Sequence, residues 1–321
     1  MTQFVQTLTD GIAVGSLYAL IALGYTLVYG ILQFINFAHS DIFSLGAWAS
    51  FTVASALGLA AATGGEAPWY VGAFVLVAAM VLCGGVGYVV ERFAYRPLRN
   101  APRLNVLITA IGVSLLLQNL GQLELGRLQR GEASFSLPFG PYPKAMPRLL
   151  ADQPLFTAAG VSFHRVDAAV LATAVVLMVG IQWLVYRTKI GLAMRAVSFS
   201  HSTAALMGVN VNRVVSFTFV MGAALAAAAG FLYAMKYTQL KQTADNTWVL
   251  LGLKAFVAAV VGGIGNIRGA MLGGLVIGLI EFFGVAYLSS EYRDVYVFSI
   301  LILVLLARPS GILGTATAEK V

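Results

Sequence analysis

GIAVGSLYALIALGYTLVYGILQFINFAHSDIFSLGAW, residues 11–48, decides the fold. Its first thirty residues carry no Asp, Glu, Lys or Arg, and a helix of about 20 apolar residues spans a hydrocarbon core about 30 Å thick. Further charge-free runs follow at 42–65, 67–90, 104–123, 168–186 and 214–235. Beyond Lys236 the runs shorten to 255–267, 269–280, 282–290 and 295–307, broken by Arg268, Glu281 and the Glu291–Asp294 cluster. These read as two or three more helices, some short or discontinuous. The composition agrees, with 59% hydrophobic and 10% charged residues and a mean hydropathy of +0.85. Soluble domains carry about 25% charged residues, so this chain exposes apolar surface to lipid. The expected fold is an all-α polytopic membrane protein with about eight or nine transmembrane helices, some short or re-entrant. The alternating pattern of an outer-membrane barrel is missing.

The net charge of +7 sits in short loops between apolar runs, which marks topology and not nucleic-acid binding. Arg92, Arg96, Arg99 and Arg103 crowd one loop; Arg187, Lys189, Arg195 and Arg213 crowd another. Both belong inside. The proline-rich segment 123–166 between them is then external, the N-terminus outside, and Arg308-Pro309-Ser310-Gly311 cytoplasmic. The chain reads as one permease-like transmembrane domain over 1–321, with 187–213 as a cytoplasmic segment. The opening Met1-Thr2-Gln3 lacks the marks of a signal peptide, so the first run is expected to stay in the mature chain. The single cysteine, Cys83, permits no intrachain disulfide.

Catalytic patterns are missing. His39, His164 and His201 are far apart, and no HExxH, GxSxG or P-loop motif occurs. The chain is expected to be no enzyme and to bind no cofactor, so any ATP hydrolysis falls to a separate subunit.

Four segments carry the functional signal. In Tyr25–Trp48 an apolar span runs into Asn36, His39, Ser40 and Asp41, polar groups that at membrane depth face protein or a water-lined cavity. The alternative is a tight turn at the interface with Asp41 capping the next helix. Glu281 lies inside an apolar stretch, where an ionisable residue faces a bundle interior or aqueous pathway; otherwise it snorkels near Tyr287. Lys254 raises the same question more weakly. Lys189–Arg213 is too polar to span yet keeps Ala196, Phe199, Ala204, Leu206 and Met207, which suggests short amphipathic helices for a partner groove or the bilayer surface. Val260–Gly278, VVGGIGNIRGAMLGGLVIG, permits close helix packing or a broken helix. A faint similarity between Gly30–Ala38 and Gly263–Ala270 hints at an internal repeat of two broken helices.

Taken together, Gly24–Trp48, ERFAYRPLRNAPRL at Glu91–Leu104, GLAMRA at Gly191–Ala196 with AALMGVNVNRV at Ala204–Val214, VVGGIGNIRGAMLGG at Val260–Gly274 and RPSGILG at Arg308–Gly314 resemble the LivH-type permeases of branched-chain amino acid ABC importers. The resemblance covers about Gly11 to Gly314. It implies a second, LivM-like permease, two cytoplasmic ATPases holding Mg-ATP, an external solute-binding protein and an inner-membrane location. Urea, amide and neutral amino acid importers have closely similar permeases, and an ion-coupled secondary carrier is the competing mechanism. The resemblance makes Gly191–Asn212 the ATPase-coupling element, with Gly191, Arg195, Ala196, Ala204 and Gly208 in the family pattern. Ala204 and Gly208, four apart, would form a small-residue docking face. Ser200 stands where an acidic residue is usual, and Ser40 where glycine usually follows the histidine. The groups available to a zwitterionic solute are Asn36, His39, Asp41, Asn119 and Glu281, with Gln118 beside Asn119.

Overall fold

In a computed structural model of the chain, residues 2–59, 67–99, 101–130, 133–150, 153–158 and 160–314 are described. Eleven helices appear among them: α1 Thr2–Leu32, α2 His39–Ala56, α3 Trp69–Val90, α4 Arg103–Gln122, α5 Arg165–Arg187, α6 Lys189–Phe199, α7 His201–Leu206, α8 Val211–Lys236, α9 Asn246–Gly262, α10 Ile267–Tyr287 and α11 Arg293–Ala307. A π turn and a 3₁₀ turn extend α3 to Leu98. Six helices are long and apolar enough to cross a membrane: α1, α3 with its extension, α4, α5, α8 and α10. The end of the 42–65 run, from residue 60 on, lies outside the described residues. Arg268 and Glu281 do not break α10. Arg268 sits in its first turn, where Asn266 Oδ1 accepts from the amides of Arg268 and Gly269.

The all-helical expectation needs one amendment. The segment before α5 holds strands β1 Gly126–Arg130, β2 Ala133–Leu137, β3 Lys144–Ala145, β4 Pro154–Ala158 and β5 Val161–His164, and β6 Gln239–Leu240 follows α8. They pair antiparallel as β1 with β2, β4 with β5 and β3 with β6. Prolines at 138, 141, 143, 147 and 154 deny this segment a helix interior. We refer to this end of the molecule as the strand face and the opposite end as the α6 face.

The core is built on α1 and α8, which cross antiparallel: Asp10 approaches Lys236 at 3.9 Å, and Gly222 meets Gly24 at mid-length. Small residues make these contacts close. A β-carbon on Gly278 of α10 would lie 2.3 Å from the α-carbon of Gly15, so the α1–α10 contact requires glycine there. Packing is reciprocal between two halves. As α1 packs on α10, so α8 packs on α3; α9 lies on α1 as α2 lies on α8; α2 meets α3 and α4 as α9 meets α10 and α11. The halves α1–α4 and α8–α11 thus form an inverted repeat of the kind seen in transporter folds. The repeat hinted at by Gly30–Ala38 and Gly263–Ala270 is a different matter. Those segments are neighbours at the α6 face, with Gly30 3.9 Å from Gly265 by the same measure, and they occupy no equivalent places.

Candidate functional site

Glu281 sits about two-thirds of the way along α10 with no solvent exposure. Tyr18 Oη donates to its Oε2 at 2.7 Å, and Lys254 Nζ to its Oε1 at 2.9 Å. Arg293 Nε, from the first turn of α11, donates to the same Oε1. Lys254 also pairs with Asp294 at 2.6 Å. The carboxylate therefore faces the bundle, not the interface beside Tyr287. Two acids and two bases sum to zero charge, which is what allows Lys254 and Glu281 to leave water together.

Glu91 occupies the equivalent place in the other half. It ends the regular part of α3, is fully buried, accepts from Ser216 Oγ of α8 at 2.5 Å and pairs with Arg99. Arg99 also donates to Asn212 Oδ1 at 2.7 Å. Tyr18 of α1 and Ser216 of α8 thus play the same part for opposite carboxylates. Sequence reading passed over Glu91 because it opens an arginine-rich loop; the usable signal was a lone acid closing an apolar run with an arginine eight residues on.

Asn36, His39 and Asp41 come together where α1 breaks. Gln33 takes a left-handed backbone with φ 55°, the chain turns through Asn36, and α2 starts with His39 packed edge-on to Tyr25 at 4.6 Å between ring centroids. A β-carbon on Gly24 would lie 2.3 Å from His39 Nε2, so the first side chain of α2 reaches back to α1 eight residues before that helix ends at Leu32. Tyr95 Oη donates to Asn36 Oδ1 at 2.6 Å, and Gln118 Nε2 to Asp41 Oδ1 at 2.8 Å. Asp41 does not cap α2; the cap position is Ala38, with no side-chain hydrogen bond. Its carboxylate stands in the first turn, favoured by the helix dipole. His39 Nε2 and Asp41 Oδ2 are buried with no hydrogen-bond partner among the described residues. Asn119 is separate, exposed on α4 with its amide donating to the Leu115 carbonyl. The five candidates therefore divide between the α1–α2 break, the Glu281 cluster and the outer side of α4.

At the α6 face, Thr188 caps α6, Ser200 caps α7 and Asn210 caps α8. Ser200 has a local task, accepting from the Thr203 amide at 3.2 Å. The expected Ala204–Gly208 face does not form: Ala204 is buried, and Gly208 lies past the end of α7 at φ 83°. Gly191 is buried too, since a β-carbon there would strike the Val185 carbonyl at 2.2 Å. Ala196 is half-buried, and Arg195 is exposed over the Tyr186 ring at 5.6 Å. The surface instead presents Leu192, Phe199, Leu206 and Met207, each more than 60% exposed. Ser198 Oγ donates to the Gly30 carbonyl, tying α6 to the α1–α2 break. The break between α9 and α10 is held from the other side: the Ile312 and Leu313 amides donate to the Val261 and Gly262 carbonyls, and Asn266 Nδ2 donates to Leu313 O.

Residues 7–306 match the family described as branched-chain amino acid transport system, permease component. The chain is 41% identical over 320 residues to the high-affinity branched-chain amino acid transport system permease protein LivH of Escherichia coli K12, covering 99% of this chain and 98% of that one. It is 40% identical over 321 residues to the corresponding protein BraD of Pseudomonas aeruginosa, with the same coverage. To the probable branched-chain amino acid transport permease LivH of Methanocaldococcus jannaschii it is 29% identical over 316 residues, 96% of this chain and 91% of that one. No solved structure matches. The chain belongs to the branched-chain amino acid transport permease family.

Proposed function

We propose that this family member is a transmembrane subunit of an ATP-driven importer for branched-chain and similar neutral amino acids. It works in the inner membrane beside a second, LivM-like permease, two cytoplasmic ATPases that hold Mg-ATP and an external solute-binding protein. The chain itself has no catalytic role and no cofactor. The strand face is external and the α6 face cytoplasmic, in keeping with the arginines of the 91–103 and 187–213 loops. The six long helices cross the bilayer together with α2, α9 and α11, nine crossings in all.

The observation that carries this reading is the apolar surface of α6 and α7. Phe199, Leu206 and Met207 are exposed on short helices outside the apolar spans, and in a chain of this family they need a partner's groove. ATP binding by that partner draws α6 of this chain and its counterpart together. The Ser198 link to Gly30 passes the movement to the α1–α2 break. Only a partner that contacts the two permease states unequally shifts their balance. Asn36, His39 and Asp41 then serve as polar relief for a zwitterion whose bare transfer through apolar surroundings is costly.

The test is gentle purification of the tagged chain from its native membrane, with identification of co-purifying subunits and uptake assays. Two ATPases, a second permease and vanadate-sensitive leucine uptake are expected. A chain that works alone and stops when the ion gradient collapses would be a secondary carrier and would end this reading.

A further inference from the structure

Between α1, α2, α8, α9 and α11 lies a cavity of about 250 Å³; its most exposed lining residues, Tyr237, Leu250 and Asp294, stand at the strand-face ends of α8, α9 and α11. Its volume is below the roughly 300–1,000 Å³ of sites for drug-sized ligands, so it suits a molecule of amino-acid size. Its lining is aliphatic at Val14, Leu17, Ile21, Leu250 and Leu251 and aromatic at Tyr18, Tyr233 and Tyr237. It also holds Lys254, Arg293 and Asp294, anchored from behind by Glu281. Phe43 of α2 also lines the cavity, four residues along the helix from His39 of the α1–α2 break.

We propose that this cavity is a binding station for a small zwitterion with a branched aliphatic side chain, inside the fold of a single permease. The proposal rests on the importer reading above and adds where the solute sits. The α-carboxylate meets Lys254 and Arg293, the α-ammonium meets Asp294 at the mouth, and the side chain lies along the aliphatic lining. Selectivity follows from charge. Lys254, Arg293, Glu281 and Asp294 already sum to zero, so a zwitterion exchanges ion pairs without adding net charge. An acidic or basic amino acid would leave one charge uncompensated in a buried setting. The half-exposed partners, Arg293 and Asp294, have side-chain exposures of 43% and 47%; they can re-pair with solute while Lys254 stays on Glu281.

Cys83 is the single cysteine and is buried, so a Thr247→Cys variant reports its own reactivity. Right-side-out vesicles holding the complete importer, washed free of soluble binding protein, are treated with a membrane-impermeant methanethiosulfonate. L-leucine is expected to slow modification at Thr247→Cys at least fivefold. Aspartate and lysine should not, and a Ser290→Cys control on the exposed α10–α11 turn should be unaffected by leucine. Leu250→Trp, which fills the mouth, is expected to lower maximal leucine uptake at least tenfold while co-purifying subunits stay in their normal ratio. If that variant is lost from the membrane, the labelling result decides alone. Leucine uptake when the binding protein is restored, with no protection at Thr247→Cys, overturns the station and leaves the importer reading standing. No uptake of any neutral amino acid by the unaltered complex ends the importer reading, and the station with it.

Discussion

Glu281 and Glu91 are equivalent residues of an inverted repeat, each fully buried and each held by a hydroxyl from a long central helix, yet their surroundings differ in charge. Glu281 has two cations, Lys254 and Arg293, and Lys254 in turn holds Asp294. Among the described residues Glu91 has Arg99 as its one cation, and α2, the counterpart of α9, contains no lysine or arginine. The stranded cation also differs. Lys254 is 5% exposed, whereas Arg99 is 16% exposed and keeps a hydrogen bond to Asn212. One backbone arrangement thus carries a four-charge lock at the strand face and a single ion pair at the α6 face. The lighter one lies nearest α6 and α7, where a partner would act, which is where a switch needs the smaller barrier.

That asymmetry predicts an order of effects. Glu281→Ala removes the buried acceptor shared by Lys254 and Arg293, leaves the buried Lys254 with Asp294 alone and should destabilise by about 3–5 kcal/mol, the range for breaking a buried pair. Thermal unfolding of the purified chain in detergent should show it, or no folded protein should be recovered. Glu91→Ala should cost less, about 1.5–3 kcal/mol, as for lost hydrogen bonds to a charged group, since Arg99 can turn toward water. Equal losses would remove the distinction between the locks. Next come the hydroxyls. Tyr18→Phe takes one donor from Glu281 and should cost about 1.5 kcal/mol, and Ser216→Ala about 1 kcal/mol. A larger loss at Ser216 than at Tyr18 would place the tighter lock at the α6 face. Glu281→Gln, which keeps the shape, should alter uptake while assembly persists; normal uptake would remove the Glu281 cluster from the solute's route.

The apolar runs located five of the six long helices because hydrophobic length is written locally; the sixth, α10, was split in the sequence at Glu281, whose charge is neutralised inside the bundle. They also announced two or three further helices after Lys236, where α9, α10 and α11 stand, and the polar interruption in Asn36–Asp41 and the oddity of Glu281 were visible for the same reason. The inverted repeat was not visible. It is a relation of packing in which tyrosine stands for serine, and no sequence similarity survives to mark it. Ala204 and Gly208 misled because spacing by four implies one helical face only if the helix continues, and α7 stops at Leu206. Strands β1–β2 and β4–β5 are short hairpins without the long alternating pattern that marks a strand, and β3 depends on a partner, β6, distant in the chain.

The smallest expected effect concerns the two chain breaks at the α6 face. Between α9 and α10, positive φ falls on Gly263 and Gly265 and the next helix is capped by Asn266. After α1 the positive φ falls on Gln33, and α2 begins without a side-chain cap. A side chain in the left-handed region costs roughly 1–2 kcal/mol, while glycine loses more freedom on folding. Gln33→Gly should therefore stabilise the chain by less than about 1 kcal/mol, read as a small rise in the unfolding midpoint. A fall instead would mean that the Gln33 side chain stabilises the fold. Because Gln33 lines two cavities at the α6 face, one reaching Arg99 and His201 and the other Asn266 and Arg308, such a fall would assign it to holding those walls together. A rise would leave the α1–α2 break as the one of the two that carries backbone strain, and so the one from which a pull on α6 through Ser198 draws the larger response.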